Sequence, residues 1–513
     1  MSGESRVKKS LLNAKVNTIC YFISLVVAFF SRKIFIEKLG VDFIGFTSTL
    51  QSLLGFLNLA ELGIGTAIGY VLYKPIFDKN INKINEIISI FGYLYQKIGL
   101  IILGAGLIFS CFLPLIFPDI PFSWAIIYLA FFTFLTASLL GYFINYRQTL
   151  LSADQRNYEV TGYFQVATTT KTIIQMILVI YIRSYELYFA IELTFGIIYS
   201  ILLNWRINKV YPWLKSDIKL GKRLFKKYPE IGKYVKQLFV HKIATFVQFQ
   251  ITPFLIYSYV ALPIVALYGN YILITSKVQS LISGAMDSAG AGIGNLISEG
   301  NSQKILETYK ELFALRSLVA GILAACVYYL GSAFIYIWLG SQYVLSDFVL
   351  LLISIQLFMS ILRGTTDQFL FGYGLFWDIW APAVESAIFI VSAIIFGNIW
   401  GLPGILCGPV ISSSIIVYLW KPYFLFSKGF KITVINYWFI FLSHIFTLLT
   451  AYFLVRALTG IIFSNDKLEE NWFDFILGSS IFAILMCIVS LILFYAISPG
   501  IRMFISRFVN KMK

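Results

Sequence analysis

The sequence is poor in charge, histidine and cysteine. Only 13% of its 513 residues are Asp, Glu, Lys or Arg, whereas soluble globular proteins carry about 25%. His241 and His444 are the two histidines, and the five cysteines lie in apolar segments without the spacing of metal ligands or of a disulfide framework. These shortages argue against a soluble globular chain and against a histidine- or cysteine-rich metal centre, so we expect no metal and no cofactor.

Apolar residues are abundant instead. They make up 59% of the chain, aromatic residues make up 18%, and the mean hydropathy is +0.81. A membrane-spanning helix needs about 20 apolar residues. Runs of that kind lie near 11–35, 43–72, 95–117, 122–146, 158–182, 187–208, 236–259, 265–298, 314–338, 345–371, 376–397, 402–425, 432–455 and 473–497. We therefore predict an all-α polytopic membrane protein with about fourteen transmembrane helices, the first of them a retained span rather than a signal peptide.

The basic residues predict the orientation. With a cytoplasmic N-terminus, the cytoplasmic segments carry 30 of the 40 Lys and Arg residues and the outer segments carry 6. This asymmetry follows the positive-inside rule, so both termini are predicted to be cytoplasmic. The net charge of +15 is then a topological signal and does not indicate nucleic-acid binding.

The chain contains a weak internal repeat on either side of a lysine-rich stretch. Glycine clusters at 63–69 and 290–294 correspond, and the pairs Lys97 and Arg316, and Glu159 and Asp378, are each 219 positions apart. Two such halves are typical of transporters with alternating access. The predicted organisation is a six-helix lobe at 1–208, a basic cytoplasmic linker at 209–235 along the lipid headgroups, a second six-helix lobe at 236–425, and two further helices with a basic tail at 426–513.

Four basic side chains fall inside predicted spans: Lys171, Lys242, Lys277 and Arg363. A cation at the centre of a bilayer costs about 2.5–3.5 kcal/mol on insertion scales, so such residues usually face a protein interior or a watery cavity. We expect a cavity with a positive lining and an anionic substrate. A structural ion pair is the alternative, above all for Arg363, because Asp367 follows it by one helical turn; Lys242 lies close enough to a span end to snorkel.

Five acidic residues are also predicted to be buried: Glu61, Glu192, Asp287, Asp367 and Glu385. An intramembrane carboxylate can bind a proton or sodium ion, or it can neutralise a buried cation. Asp287 lies ten residues after Lys277, near three helical turns, so these two side chains share a face loosely. Both roles stay open from the sequence.

Several segments resemble one family in order along the chain. They are Ser31–Gly40, Gly45, Leu57–Gly65 (LNLAELGIG), Tyr73–Pro75, Gln148–Tyr158 (QTLLSADQRNY) and Gly401–Gly408 (GLPGILCG). Together they resemble the bacterial polysaccharide-unit flippases of the multidrug/oligosaccharidyl-lipid/polysaccharide exporter superfamily. Each segment is degenerate alone, and their order over the whole chain makes the resemblance specific.

The resemblance implies a flippase and not an enzyme. It would move undecaprenyl-diphosphate-linked oligosaccharide units from the inner to the outer leaflet of the bacterial cytoplasmic membrane, for capsule, O-antigen or exopolysaccharide assembly. Partners would be this lipid-linked oligosaccharide, membrane lipid, and a polysaccharide polymerase with its chain-length machinery. Coupling would use a proton or sodium gradient, since the chain has no phosphate-binding loop for ATP. Arg32 would contact phosphate, whereas Lys33 is read as an interfacial anchor.

Two rival functions remain from the sequence. A membrane-embedded polysaccharide polymerase or ligase would need a large outer loop, and the predicted outer loops are short. A drug/cation antiporter of the same superfamily should have a cavity dominated by acidic residues rather than by lysines.

Overall fold

The computed structural model describes residues 6–57, 64–229, 231–232, 250–287, 290–375, 377–378, 380–462 and 465–512. Within these ranges the regular structure is helical and contains no strand. Eleven of the described helices are long and apolar enough to cross a membrane. The predicted all-α polytopic membrane fold is thereby confirmed. The predicted runs at 43–72, 236–259 and 265–298 fall on shorter or interrupted helices or outside the described residues, so the count of fourteen stays a prediction.

The chain divides into two compact units. Unit 1 comprises Met1–Tyr257 with Ala261–Ala266, and unit 2 comprises Ser258–Val260 with Leu267–Lys513. Unit 1 contains α1 (Arg6–Leu39), α2 (Val41–Leu57), α3 (Ile64–Phe77), α4 (Ile81–Ser110), α5 (Leu113–Ile116), α6 (Trp124–Phe143), α7 (Gln148–Ala153), α8 (Asn157–Tyr181), α9 (Tyr185–Val210) and α10 (Ile218–Lys227). Helix α11, at 250–259, and helix α12 (Leu262–Asp287) contribute residues to both units.

Unit 2 is built around long helices that follow the order seen in unit 1. It contains α13 (Gly290–Ser298), α14 (Ser302–Leu339), α15 (Asp347–Gly372), α16 (Trp380–Trp400), α17 (Leu402–Ser413), α18 (Lys421–Phe424), α19 (Ile435–Ile462), α20 (Trp472–Ile497) and α21 (Pro499–Met512). Helices start at 81, 124, 157 and 185 in unit 1 and at 302, 347, 380 and 402 in unit 2. Asn80 and Asn301 cap α4 and α14 in the same way, each accepting a hydrogen bond from the backbone three residues later. The helix order supports the predicted internal repeat.

The basic linker after α9 is fastened to α4. The backbone amides of Lys215 and Asp217 donate to Asn85 Oδ1 and Ser89 Oγ, both at 2.9 Å. Gly221 is buried at this contact, and a Cβ there would lie 2.3 Å from Cβ of Tyr93, so no larger residue fits. Helix α10 is therefore seated on α4 by specific contacts, and its predicted position along the headgroups stays a prediction.

The segment 402–430 is helical but changes its winding three times. It is α-helical over Leu402–Ser413, π-helical over Ser414–Trp420, α-helical over α18, and π-helical again over Leu425–Phe430. Pro422 lacks a backbone N–H and its ring crowds the carbonyl four residues earlier. π-helical turns relieve such conflicts, and they often occur at functional sites. Here the turns flank Lys421, which is part of the site described below.

The hairpin of α16 and α17 explains the glycines of the GLPGILCG segment. Gly401 has φ +63°, a conformation that other residues adopt only with strain. A Cβ on Gly404 would lie 1.9 Å from the carbonyl oxygen of Phe396, and one on Gly408 would lie 2.9 Å from Cβ of Ala393. The two helices therefore approach backbone to backbone, as small residues allow in membrane proteins.

We expect Gly404→Ala to destabilise the protein by about 1–3 kcal/mol, because the added methyl group forces α16 and α17 apart. The matched control is Gly104→Ala on α4, where no atom lies within 4 Å of the added Cβ. The thermal unfolding temperature of detergent-solubilised protein should fall for Gly404→Ala only. Equal unfolding temperatures for the two variants would contradict this close contact.

Candidate functional site

An ion cluster in unit 2, here called the Asp367 cluster, joins four side chains. Asp367 accepts from Arg363 Nε at 3.2 Å through Oδ2 and from Lys421 Nζ at 2.5 Å through Oδ1. Arg363 Nη1 lies 3.7 Å from Oε1 of Glu385, and Ser413 Oγ donates to the same carboxylate at 3.4 Å. One aspartate thus holds an arginine and a lysine together.

Local structure explains how these side chains meet. Arg363 and Asp367 are one turn apart on α15 and share a face. Lys421 lies between the two π-helical turns, next to Trp420, whose Nε1 donates to Asp378 at 3.3 Å. The altered winding therefore brings two consecutive side chains, Trp420 and Lys421, onto carboxylates of two different segments.

The Asp367 cluster is balanced in formal charge. Arg363 and Lys421 face the carboxylates of Asp367 and Glu385, and the four side chains are between 4% and 29% exposed. The ion-pair alternative for Arg363 is therefore the arrangement observed. The Arg363 guanidinium can bind a ligand only if that ligand replaces one of the two carboxylates it now contacts.

Lys171 is also paired, within unit 1. Its Nζ lies 2.6 Å from Oε1 of Glu192, and both side chains are less than a fifth exposed. Gln175 Nε2 lies 3.1 Å both from Oε2 of Glu192 and from the carbonyl oxygen of Tyr188. Two of the predicted residues, one on α8 and one on α9, thus form one intramembrane pair.

A third pair involves a residue that we did not predict. Arg316 on α14 is 2% exposed and donates to Oδ1 of Asp287 at 2.7 Å and to the carbonyl of Ile361 at 3.2 Å. Its guanidinium occupies the space that a Cβ on Gly364 would need. Asp287 also accepts from Gln368 at 3.2 Å. The Asp287 side chain is 56% exposed, so its predicted burial is wrong. The carboxylate considered as a partner for Lys277 is thus engaged by Arg316.

Arg316 and Lys421 are among the 30 basic residues that the orientation prediction places in cytoplasmic segments and flanks, because they lie near the ends of apolar runs. A signal was nevertheless present: five acidic residues were predicted to be buried beside only four cations. Since an unpaired carboxylate in hydrocarbon is costly, this excess indicates that basic residues at the run ends reach inward.

The other predicted residues are dispersed. Arg32 Nη2 donates to the carbonyl of Ala266 at 2.8 Å, and Lys277 is a half-buried residue of α12. Lys33 lies 4.0 Å from Glu37, and both are exposed, which fits an interfacial anchor. Lys242 and Glu61 lie outside the described residues.

The QTLLSADQRNY segment forms a structural junction in unit 1. Arg156 pairs with Glu159 at 3.0 Å, and Arg206 of α9 reaches both oxygens of Glu159 at 2.7 and 3.1 Å. The side chain of Asn13 on α1 accepts from the amide of Tyr158 at 2.6 Å. The segment and the adjoining Glu159 therefore tie α1, α8 and α9 together.

Comparisons with solved structures, but not comparisons of sequence, find proteins similar to this chain. No family model matches the chain, and no curated protein matches it by sequence. A solved structure described as the lipid II flippase MurJ in an inward closed conformation is similar, with a TM-score of 0.64 and 17% identity over 93% of this chain and 98% of that chain. The chain has the MurJ fold.

A second solved structure has a similar fold. It is described as the inward-facing conformation of a multidrug resistance MATE family transporter of the MOP superfamily. Its TM-score is 0.58, with 14% identity over 80% of this chain and 97% of that chain. The chain therefore shares its fold with both structures, as the resemblance of its sequence segments predicts. The first of these structures is described as a flippase and the second as a transporter.

We expect Glu192→Gln to lower the free energy of unfolding by about 3 kcal/mol, because breaking a buried pair leaves the Lys171 ammonium without its carboxylate. The double variant Lys171→Met with Glu192→Gln should recover most of this loss. Unfolding of the solubilised protein, followed by heat or denaturant, measures both effects.

The matched control is Glu299→Gln, which breaks the pair between Lys304 and Glu299 at 2.9 Å, where both side chains are more than half exposed. Exposed pairs contribute at most about 1 kcal/mol. Similar losses for Glu192→Gln and Glu299→Gln would show that the pair between α8 and α9 is not shielded from solvent.

Proposed function

We propose that the protein is a flippase for undecaprenyl-diphosphate-linked oligosaccharide units. It would move them from the inner to the outer leaflet of the bacterial cytoplasmic membrane by alternating access, with both termini cytoplasmic, and supply a polymerase of capsule, O-antigen or exopolysaccharide. The ordered sequence segments and the likeness of the fold to a lipid II flippase support this function.

The observation that carries the proposal is the Asp367 cluster. A diphosphate that leaves the headgroup layer loses hydration, and only charge-assisted hydrogen bonds replace it well. Arg363 offers a planar fork for phosphate oxygens, and Lys421 adds a mobile ammonium group. Both are already gathered on one carboxylate, so a diphosphate at this place would meet two cations at once.

Binding at the Asp367 cluster would work by exchange. Phosphate oxygens that engage Arg363 and Lys421 leave Asp367 without its cations. A carboxylate in a poorly hydrated site then takes up a proton or a sodium ion, because the bare charge is costly there. When the substrate leaves, the carboxylate recovers its cations and releases the ion. Such exchange couples substrate binding to the binding of a proton or sodium ion.

An apolar groove of about 760 Å³ within unit 2 supports the polyprenyl part of the substrate. Phe441, Leu448 and Tyr452 of α19 line it, together with Met359 and Tyr418. Met359 is one turn before Arg363, and Tyr418 is three residues before Lys421. The groove therefore begins beside the cations of the Asp367 cluster, an arrangement that suits a lipid with an anionic end and a long apolar chain.

A drug/cation antiporter is the second candidate, because the fold is also that of a MATE transporter. A cationic substrate would need a carboxylate to bind, and Asp367 and Glu385 are already engaged by Arg363 and Lys421. Deletion of the gene separates the candidates: loss of surface polysaccharide supports the flippase, and increased drug sensitivity with normal polysaccharide supports the antiporter.

We expect Arg363→Ala, Lys421→Ala and Lys277→Ala to reduce surface polysaccharide at least tenfold while the protein remains in the membrane. The undecaprenyl-linked units should accumulate on the inner leaflet, because diphosphate recognition is lost and synthesis is not. Extracted lipid-linked oligosaccharide and surface polysaccharide, both quantified by mass spectrometry, provide the measurement.

The matched control is Lys428→Ala, since Lys428 lies in the same segment as Lys421 but is exposed. Arg363→Lys should retain partial activity, and Asp367→Asn should still bind substrate, but its binding should no longer depend on pH or on the sodium concentration. Normal polysaccharide from both Arg363→Ala and Lys421→Ala would disprove the role of the Asp367 cluster.

A further inference from the structure

Unit 1 contains a cavity of about 540 Å³ between α6, α8 and α9, all of whose lining residues belong to unit 1. Its volume lies within the range of about 300–1,000 Å³ that is typical of ligand sites. The pair of Lys171 and Glu192 forms part of the wall. The flippase function proposed above assigns no role to this cavity.

The cavity wall carries many groups that can both donate and accept hydrogen bonds. Asn145 Nδ2 donates to Ser200 Oγ at 2.9 Å, and the Tyr199 hydroxyl donates to Gln148 Oε1 at 3.4 Å. Thr168 also lines the cavity. Amides and hydroxyls complement the vicinal hydroxyl groups of a sugar, which donate and accept in turn.

Aromatic rings face the same space. Phe164 and Tyr199 both line the cavity, with ring centroids 5.4 Å apart at an angle of 77°. Aromatic residues that combine an apolar face with a polar end suit ligands of mixed character, and the C–H face of a pyranose ring is such a ligand. The cavity wall therefore combines aromatic side chains with polar hydroxyl and amide groups.

Charge and size argue against a bare ion. The Glu192 carboxylate already faces the Lys171 ammonium at 2.6 Å, so the pair has no net charge to attract a cation or an anion. An ion such as calcium needs oxygen ligands on all sides at about 2.3–2.6 Å. A cavity of about 540 Å³ is much larger than the space that such a set of ligands encloses. A neutral, polar ligand of several ångströms suits this space better.

The lining also argues against a lipid chain. The groove of unit 2 is walled mainly by Leu, Ile, Phe and Ala side chains, whereas the unit 1 cavity contains a charged pair and several amides. Burying an apolar chain against those groups would remove their hydration without replacing their hydrogen bonds. The two cavities thus differ in the chemistry they select.

We propose that the unit 1 cavity binds a neutral pyranose of the translocated oligosaccharide, with the Lys171–Glu192 pair, Gln148 and Asn145 as hydrogen-bonding partners and Phe164 and Tyr199 as the stacking surface. This inference rests on the flippase function proposed above. It names the sugar part of the substrate as the part that unit 1 recognises.

The test uses the full chain in lipid nanodiscs with Thr168→Cys as a reporter in the cavity. The rate of N-ethylmaleimide alkylation at position 168 is followed by peptide mass spectrometry. The protecting probes are lipid-linked oligosaccharide extracted from the producing cells and undecaprenyl diphosphate without sugar. Ser341→Cys, an exposed position in a short turn, controls for effects of the probes on the reagent.

We expect the oligosaccharide lipid to slow alkylation at position 168 at least fivefold and undecaprenyl diphosphate to leave the rate unchanged. Equal protection by both lipids, binding of both without protection, or a site that maleimide never reaches would overturn the sugar assignment while leaving the flippase function intact. If native mass spectrometry detects binding of neither lipid, the flippase function itself fails.

A second variant fills the cavity. Gly141 lines it and has no atom within 4 Å of an added Cβ, and Gly104, outside the cavity, is equally open. Gly141→Leu should weaken binding of the oligosaccharide lipid at least tenfold and leave undecaprenyl diphosphate unaffected, whereas Gly104→Leu should change neither. Unchanged oligosaccharide binding by Gly141→Leu would overturn the proposal independently of the cysteine reporter.

Discussion

The cost of charge in a membrane organises this protein. Three of the ion pairs seen in the described residues join a basic side chain to a carboxylate on another helix: Lys171 with Glu192, Arg316 with Asp287, and Lys421 with Asp367. Removing two charges from water is expensive, and their attraction compensates only when the geometry is good and further hydrogen bonds are made. The short contacts of 2.5–2.7 Å and the added bonds from Gln175, Gln368 and Arg363 meet that condition. The same pairs therefore fix the register of neighbouring helices within each unit. In the proposed function, the cations of the Asp367 cluster are also the groups that bind the substrate.

Much of the fold could be predicted from the sequence, because it depends on composition and on periodic features. Apolar runs gave eleven long helices that the structure describes, and the repeat was visible in the glycine clusters and in the order of helices. The partners of the buried charges could not be predicted. Lys171 and Glu192 are 21 residues apart, and Asp367 and Lys421 are 54 apart, so only the packing of separate helices brings them together. Lys421 was read as a flanking residue because its depth depends on π-helical turns around Pro422, which hydropathy does not report.

Because the buried cations are paired with carboxylates, they select among anions instead of attracting every anion. A lining of uncompensated lysines and arginines would attract any anion and would hold it tightly. A lining of paired charges discriminates, because a ligand must replace a carboxylate that is already well placed. Arg363 illustrates this: it touches Asp367 at 3.2 Å and approaches Glu385 at 3.7 Å, so an incoming anion must supply better geometry than both. A diphosphate, with several oxygens on one flexible group, can satisfy an arginine fork and a lysine together, whereas a single chloride cannot.

Neutral pairs also bear on the return step of an alternating-access cycle. A transporter that has released its substrate must reorient without it, and exposed cations in a dry, closing cavity would oppose that movement because each must be desolvated. If Asp367 recovers Arg363 and Lys421 when the diphosphate departs, the empty site has no net charge and closes at little electrostatic cost. In the proposed cycle, the ion that neutralised Asp367 during the loaded step leaves as this pair re-forms, so one carboxylate accepts the ion in the loaded step and makes the empty return feasible. The ion pairs that looked like an obstacle to substrate binding are then the feature that allows repeated turnover.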